Sequence, residues 1–191
     1  METSLNGKTY VVTGATSGIG LATTEQLVEK GAAVIGIGRA QDRCDQAKET
    51  LLAIDPQARV AYCLADLSLQ SDIRELRGQI AAVLKELGAE YLDGLVNNAG
   101  TFTYWFTMTP EGFEKQWAVN HLAPFLLTHE LLPLLMAAPE ARVVTVSSGS
   151  HYQGRLNWDD LQLRHRYNGL RAYENTKLAN VLFTLEFNKL M

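Results

Sequence analysis

Lys8-Thr-Tyr-Val-Val-Thr-Gly-Ala-Thr-Ser-Gly-Ile-Gly20 decides how this chain is read. A short β-branched run reaches three glycines, Gly14, Gly18 and Gly20, and a helical pattern follows at once. A strand, a glycine turn and a helix in that order leave unblocked backbone N–H groups at a helix N-terminus, where the dipole favours a phosphate. The first glycine allows the sharp turn, the second a close approach of backbone to a pyrophosphate, and the third close packing of helix on strand. Thr16, Ser17 and Ile19 complete this candidate phosphate-binding turn. The spacing, Gly-x3-Gly-x-Gly, is one residue wider at the front than the Gly-x-Gly-x-x-Gly fingerprint. Taken alone, it also fits a plain tight turn between a strand and a helix.

Outward from that turn, strand-length apolar runs alternate with helix-period segments. Strands are predicted at 9–13, 33–37, 60–64, 92–97 and 142–147, and helices at 19–30, 41–54, 69–87, 110–137 (bent near Pro124) and 173–190. The first strands are continuously apolar, as expected where helices cover both faces of a parallel sheet. Gly31 and Gly88 stand in C-cap position after the first and third helices, and Ser68 is placed to cap the third at its start. No repeat or linker divides the chain. The expected fold is a single α/β domain, a doubly wound parallel sheet of Rossmann type, with ligands at the carboxyl ends of its strands.

Composition narrows the function classes. The 191 residues are 47% hydrophobic and 20% charged, with a net charge of −4. No basic stripe offers itself to nucleic acid. The longest apolar stretch, Leu122 to Ala138, carries His129, Glu130 and two prolines and falls short of a membrane span. No secretory leader pattern opens the chain. Cys44 and Cys63 lack metal-ligand spacing and read as reduced, structural thiols. A cytoplasmic protein with no integral membrane segment, no nucleic-acid partner and no metal is expected.

The strand ends carry the chemistry. The second closes Gly38-Arg39. An arginine at that edge accommodates the 2′-phosphate of a phosphorylated dinucleotide, with Arg43 as a second contact; the competing reading is a solvated loop arginine. The third ends Ala65-Asp66-Leu67. There the carboxylate can accept from an adenine amino group and the Leu67 N–H can meet the ring, or Asp66 simply closes a turn. Asn97-Asn-Ala-Gly100 follows the fourth; two amides can tie strands together while Ala99-Gly100 lets backbone lie against a flat ligand. Ser147-Ser148 ends the fifth, where a hydroxyl can hold a carbonyl oxygen or merely satisfy backbone. Tyr173 and Lys177, one helical turn apart, share a face, so an ammonium beside the phenol favours phenolate and makes it a usable acid or base. Asn120 inside a helical stretch is a polar kink that could hold water and relay protons to Lys177. His121 and His129 have no metal partner at helical spacing. The segment 102–106 reads equally as pocket wall or as loop core.

In order and at near the expected intervals, Thr13-Gly-x-x-x-Gly-Ile-Gly20, Asp66, Asn97-Asn-Ala-Gly100, Asn120, Ser148 and Tyr173-x-x-x-Lys177 resemble the short-chain dehydrogenase/reductase family. Thr109-Pro-Glu-Gly-Phe-Glu, Val119-Asn-His-Leu-Ala-Pro-Phe-Leu-Leu-Thr128 and Lys177-Leu-Ala-Asn-Val-Leu-Phe-Thr184 look like its retinol-dehydrogenase-like branch. The resemblance implies a catalytic tetrad of Asn120, Ser148, Tyr173 and Lys177. Tyr173 exchanges a proton with the substrate oxygen, Ser148 holds that oxygen, Lys177 also binds the nicotinamide ribose, and Asn120 anchors the relay water. It implies a cofactor site of Gly14, Thr16, Ser17, Gly18, Ile19, Gly20, Arg39, Asp66, Leu67, Asn97, Ala99 and Gly100 together with Tyr173 and Lys177. NADP(H) is the expected cofactor, NAD(H) the other candidate, and a small or lipophilic carbonyl or alcohol the substrate. A noncatalytic NADP(H)-binding module or redox sensor is the alternative. The resemblance further implies a strand order 3-2-1-4-5, two more strands and a substrate lid beyond residue 191, and a homo-oligomer in a longer form.

Overall fold

The computed structural model describes residues 4–191. β1 (Thr9–Thr13), β2 (Ala33–Gly38), β3 (Val60–Leu64), β4 (Gly94–Asn97) and β5 (Arg142–Thr145) form one parallel sheet in the order β3-β2-β1-β4-β5. α1 (Gly18–Glu29), α2 (Gln41–Ile54) and α3 (Gln70–Glu86) connect the first four strands. A continuous helical rod made of α4 (Lys115–Trp117), a π turn (Ala118–Leu122) and α5 (Ala123–Met136) leads to β5. A 3₁₀ turn (Gly149–Gln153) and α6 (Gly169–Leu190) follow.

Alternation along the strands explains why they read as unbroken apolar runs. Val11, Ile35 and Leu95 face a core built with Ile73, Leu76 and Ile80 of α3 and Leu127 and Leu131 of α5. Their neighbours Val12 and Val34 face the opposite core, with Val28 of α1 and Leu51 of α2. Both faces are thus buried, and a slip of one residue would exchange the two cores. At the start of β1, buried Asp93 accepts from Thr9 N–H at 2.8 Å and pairs with the Lys8 ammonium at 2.8 Å, which raises the Lys8 pKa.

Three expectations about helix starts need correction. The helix expected from Pro110 begins at Lys115, because Thr109–Phe113 closes into a turn and Glu114 caps the rod. In that turn Thr109 N–H donates to Phe113 C=O at 2.8 Å and Gly112 N–H to Thr109 C=O at 2.9 Å. The Glu114 carboxylate accepts from Gln116 and Trp117 N–H at 3.0 and 2.7 Å. α6 starts at Gly169, four residues earlier than expected, capped by the Asn168 side chain, which accepts from Arg171 N–H at 2.9 Å. Ser68 caps nothing: Glu111 reaches back forty residues so that its carboxylate accepts from Gln70 and Ser71 N–H, the former at 2.6 Å. Those two bonds also hold the Glu111 pKa below its ordinary value. Gly31 and Gly88 do stand just past their helices in left-handed backbone.

Candidate active site

The carboxyl ends of the strands open into one cleft of about 760 Å³, which runs from the glycine turn past Arg39 and Asp66 to Ser148, Tyr173 and Lys177. Gly14 and Gly18 take left-handed backbone at φ +65° and +54°, which carries the chain round the turn. α1 then starts without a side-chain cap and without an acidic residue in its first turn. The contrast with Glu111, Glu114 and Asn168, which serve other helix starts, is informative. The first N–H groups of α1 are left for a ligand beside a positive dipole end, and space is open where a Gly18 Cβ would project. This donor set fits a dinucleotide pyrophosphate.

Of the expected turn residues, Gly14, Thr16, Ser17 and Ile19 line the cleft. Gly18 and Gly20 do not; Gly20 lies buried against the turn, where an added Cβ would fall 2.1 Å from Gly14 O and 2.5 Å from Asn98 Nδ2. Arg39 and Arg43 both line the cleft from the end of β2 and the first turn of α2. Asp66 and Leu67 line it too. One Asp66 carboxylate oxygen accepts from Ser68 N–H at 2.9 Å, so the residue also closes a turn.

Asn97 is 2% exposed, is not among the residues that line the cleft, and its side chain donates from Nδ2 to Thr128 Oγ1 of α5 at 3.0 Å. Side chains alternate at a strand end, so the next residue faces the ligand edge. Asn98 lines the cleft, donating from Nδ2 to Thr13 C=O at 3.0 Å, and the Asn98 and Ala99 N–H groups both donate to Thr13 Oγ1. Ala99 and Gly100 line the cleft directly.

At the far end of the cleft, Lys177 is buried at 3% exposure, with Nζ donating to Val146 C=O at 3.0 Å and lying 5.5 Å from the centroid of the Tyr173 ring. A Cβ placed on Gly100 would be 3.7 Å from Lys177 Nζ and 3.5 Å from Asn120 Oδ1, so the three lie close together. Asn120 is fully buried in the π turn and lies behind the cleft wall. Its side chain accepts from Thr101 N–H at 2.7 Å and donates to Thr101 C=O at 2.9 Å, while its own carbonyl accepts from Asn180 Nδ2 at 2.8 Å. The two serines divide their work. Ser147 Oγ donates to Lys177 C=O at 2.9 Å, whereas Ser148 Oγ bonds locally, accepting from Ser150 N–H at 3.2 Å. Phe102 lines the cleft with its ring edge-on to Tyr173, centroids 5.9 Å apart. Tyr104 and Trp105 beyond it are exposed.

His121 packs against Trp117, with its Nδ1 3.1 Å from Asn180 Oδ1, and burial pushes its pKa down; His129 is exposed on α5. Among the described residues no group of His, Cys, Asp or Glu could hold a metal ion. No described helix is long and apolar enough to cross a membrane. Lys115 and Val119 line the cleft without having been singled out from sequence. Lys115 and Val119 stand at helical i, i+4 spacing before Asn120, the signal that could have found them.

Burial also gives Lys177 a testable pH signature. Desolvation holds its pKa below the ordinary 10.5. The folded chain therefore releases this proton at lower pH than the unfolded chain. Between the depressed value and 10.5 the unfolded state binds more protons, and stability contributed at this site rises with pH. Urea midpoints measured from neutral pH upward are expected to climb for the wild type relative to Lys177→Met. Parallel curves would contradict the burial.

Comparison with known proteins agrees with this geometry. A family model for the short chain dehydrogenases matches residues 8–159. Retinol dehydrogenase 14 of Mus musculus is 40% identical over 190 residues, covering 95% of this chain and 56% of that protein. Retinol dehydrogenase 13 of Homo sapiens is 37% identical over 189 residues, covering 98% and 56%. The chain thus spans about half the length of the curated relatives it matches. A crystal structure of an uncharacterised Mycobacterium paratuberculosis protein superposes with a TM-score of 0.83 at 38% identity, over 97% of this chain and 63% of that one. A Shigella flexneri short chain dehydrogenase complexed with NADP gives 0.78 at 25% identity, over 98% and 74%. With matched residues, sheet order and strand-end motifs in agreement, the chain belongs to the short-chain dehydrogenase family, on its retinol-dehydrogenase-like side.

Proposed function

We propose that this chain forms the cofactor-binding and catalytic body of an NADP(H)-dependent oxidoreductase that interconverts a carbonyl and an alcohol on a small or lipophilic substrate. One observation carries the reading: a single cleft joins an uncapped helix N-terminus and two arginines to the Ser148, Tyr173 and Lys177 side chains. Gly14, Thr16, Ser17, Gly18 and Ile19 would hold the pyrophosphate, Arg39 and Arg43 the 2′-phosphate, and Asp66 and Leu67 the adenine. Bound there, the nicotinamide supplies the hydride.

The side chains then orient the substrate and move its proton. Tyr173 Oη gives a proton to the carbonyl oxygen in reduction and takes it back in oxidation. Ser148 Oγ exchanges its local bond to Ser150 for one to that oxygen. Lys177 is anchored on Val146 C=O, keeps an ammonium beside the phenol and would hold the nicotinamide ribose. Asn120 fixes the Thr101 backbone over the cleft, and the second lone pair of its carbonyl serves the relay water.

Arg39 gives the cofactor test. A guanidinium on the 2′-phosphate adds charge-assisted hydrogen bonds of about 1.5–3 kcal/mol each, or roughly tenfold or more in affinity. A fluorescence titration is expected to show tighter binding of NADPH than NADH, with Arg39→Asp reversing the order. Equal wild-type affinities would remove the assigned specificity. A chain that binds NADPH tightly yet consumes none with any aldehyde or ketone would be a cofactor-binding module.

A further inference from the structure

A buried polar cluster lies behind the wall of the cleft. Gln116 is fully buried and Glu114 is 1% exposed, although neither faces the cleft. Gln116 Nε2 lies 3.1 Å from Thr103 C=O, 3.0 Å from Gly169 C=O and 2.9 Å from Tyr167 Oη. Tyr167 Oη donates in turn to Glu114 Oε1 at 2.8 Å. One amide on the helical rod therefore joins two segments far apart in sequence: the aromatic loop at Thr103 and the 167–169 stretch that opens α6.

The two carbonyls make this arrangement specific. Thr103 and Gly169 approach so closely that a Cβ on Gly169 would lie 2.2 Å from Thr103 O and 2.9 Å from Tyr104 Cα. Two carbonyl dipoles brought together in a buried place need a shared donor, and Gln116 supplies it. They also fix which way its amide points. Gln116 Oε1 has no hydrogen-bond partner among the described residues, so the residue is held by what it donates rather than by a fully matched amide.

Each end of the clasp leads to the site. Thr103 stands between Phe102 and Tyr104, whose rings meet edge-on at 4.8 Å, and Phe102 meets Tyr173 at 5.9 Å. Gly169 stands one helical turn before Tyr173 on α6, so both lie on one helix face. We infer that Gln116 is a positioning residue that sets the distance between the Phe102–Tyr104 wall and the Tyr173-bearing helix, and so tunes the site for substrates with an aromatic or bulky apolar body. This inference rests on the oxidoreductase reading for its kinetic consequence, but the clasp itself can be tested without turnover.

Gln116→Leu keeps bulk and removes the donor; Tyr167→Phe, at a half-buried position, loosens the same clasp more gently; Gln116→His keeps an N–H. Hydrogen exchange is expected to speed up in residues 101–106 and 167–173 of Gln116→Leu and Tyr167→Phe, while the sheet and NADPH affinity stay as in the wild type. With NADPH, the ratio of kcat/KM on benzaldehyde to that on propanal is expected to fall about tenfold to a hundredfold in Gln116→Leu, less in Tyr167→Phe, and to be largely restored in Gln116→His. If Gln116→Leu fails to fold, Tyr167→Phe decides. Unchanged exchange in the two segments, or equal losses on both aldehydes, overturns the inference. A wild type that binds NADPH and reduces neither aldehyde overturns the oxidoreductase reading instead, and the exchange result alone then judges the clasp.

Discussion

Replacing Tyr173 by Phe is expected to cut NADPH-dependent reduction by about a hundredfold to ten-thousandfold, the usual contribution of a positioned general acid. The ring is retained, so its edge contact with Phe102 and its place over Lys177 Nζ persist. What disappears is the one hydroxyl on α6 that both lines the cleft and stands a turn before the buried ammonium. NADPH affinity should stay close to that of the wild type, because the residues proposed for the pyrophosphate, the 2′-phosphate and the adenine are all retained and the Tyr173 ring stays in place. A Phe variant that turns over at a sizeable fraction of the wild-type rate would remove Tyr173 as proton donor.

Gly20→Ala is expected to be severely damaging for a single added methyl. Its Cβ would meet Gly14 O at 2.1 Å and Gly14 C at 2.8 Å, and these are backbone atoms of the turn itself. Nothing flexible can swing aside, so α1 must lift from β1 and distort the phosphate-binding turn. Overpacking of this kind costs about 3 kcal/mol. Urea unfolding should show the loss, and NADPH titration should show binding weakened together with it. Gly78→Ala makes the opposite control: it is exposed within α3, has nothing within 4 Å of the added Cβ, and should stabilise by about 0.5–1 kcal/mol. Similar effects at the two positions would mean that the helix is not packed against the turn as described.

The sheet was legible in the sequence because its strands are buried on both faces, and Val11 and Val12 or Val34 and Ile35 read as uninterrupted runs. The glycine turn was legible because left-handed backbone and close approach both demand glycine. Helix starts were not, wherever the cap comes from a distance. Nothing near Gln70 announces that Glu111 will serve its N–H group, whereas Thr109-Pro-Glu-Gly112 does carry a turn signature, proline second and glycine fourth, which competes with Pro110 as a helix start. Asn97 and Asn98 are the same residue type in a row, and only the pleat at the end of β4 decides which faces the cleft. Asn120 was readable as a polar interruption of a helix. That the interruption is a π turn, with Asn180 on its carbonyl, depends on how α6 packs. Gln116 gave no local signal at all, since its partners lie thirteen and fifty-three residues away.

The proposed reaction passes a hydride from the nicotinamide of NADPH to a carbonyl carbon in this cleft while Tyr173 supplies the proton. NADPH deuterated at the transferring position of C4, incubated with an aldehyde and either the wild-type chain or Tyr173→Phe, tests it most directly. Deuterium on the carbinol carbon of the alcohol with the wild type, and little alcohol with the variant, is the predicted result. Alcohol without deuterium, or labelled alcohol formed equally by both proteins, would contradict it.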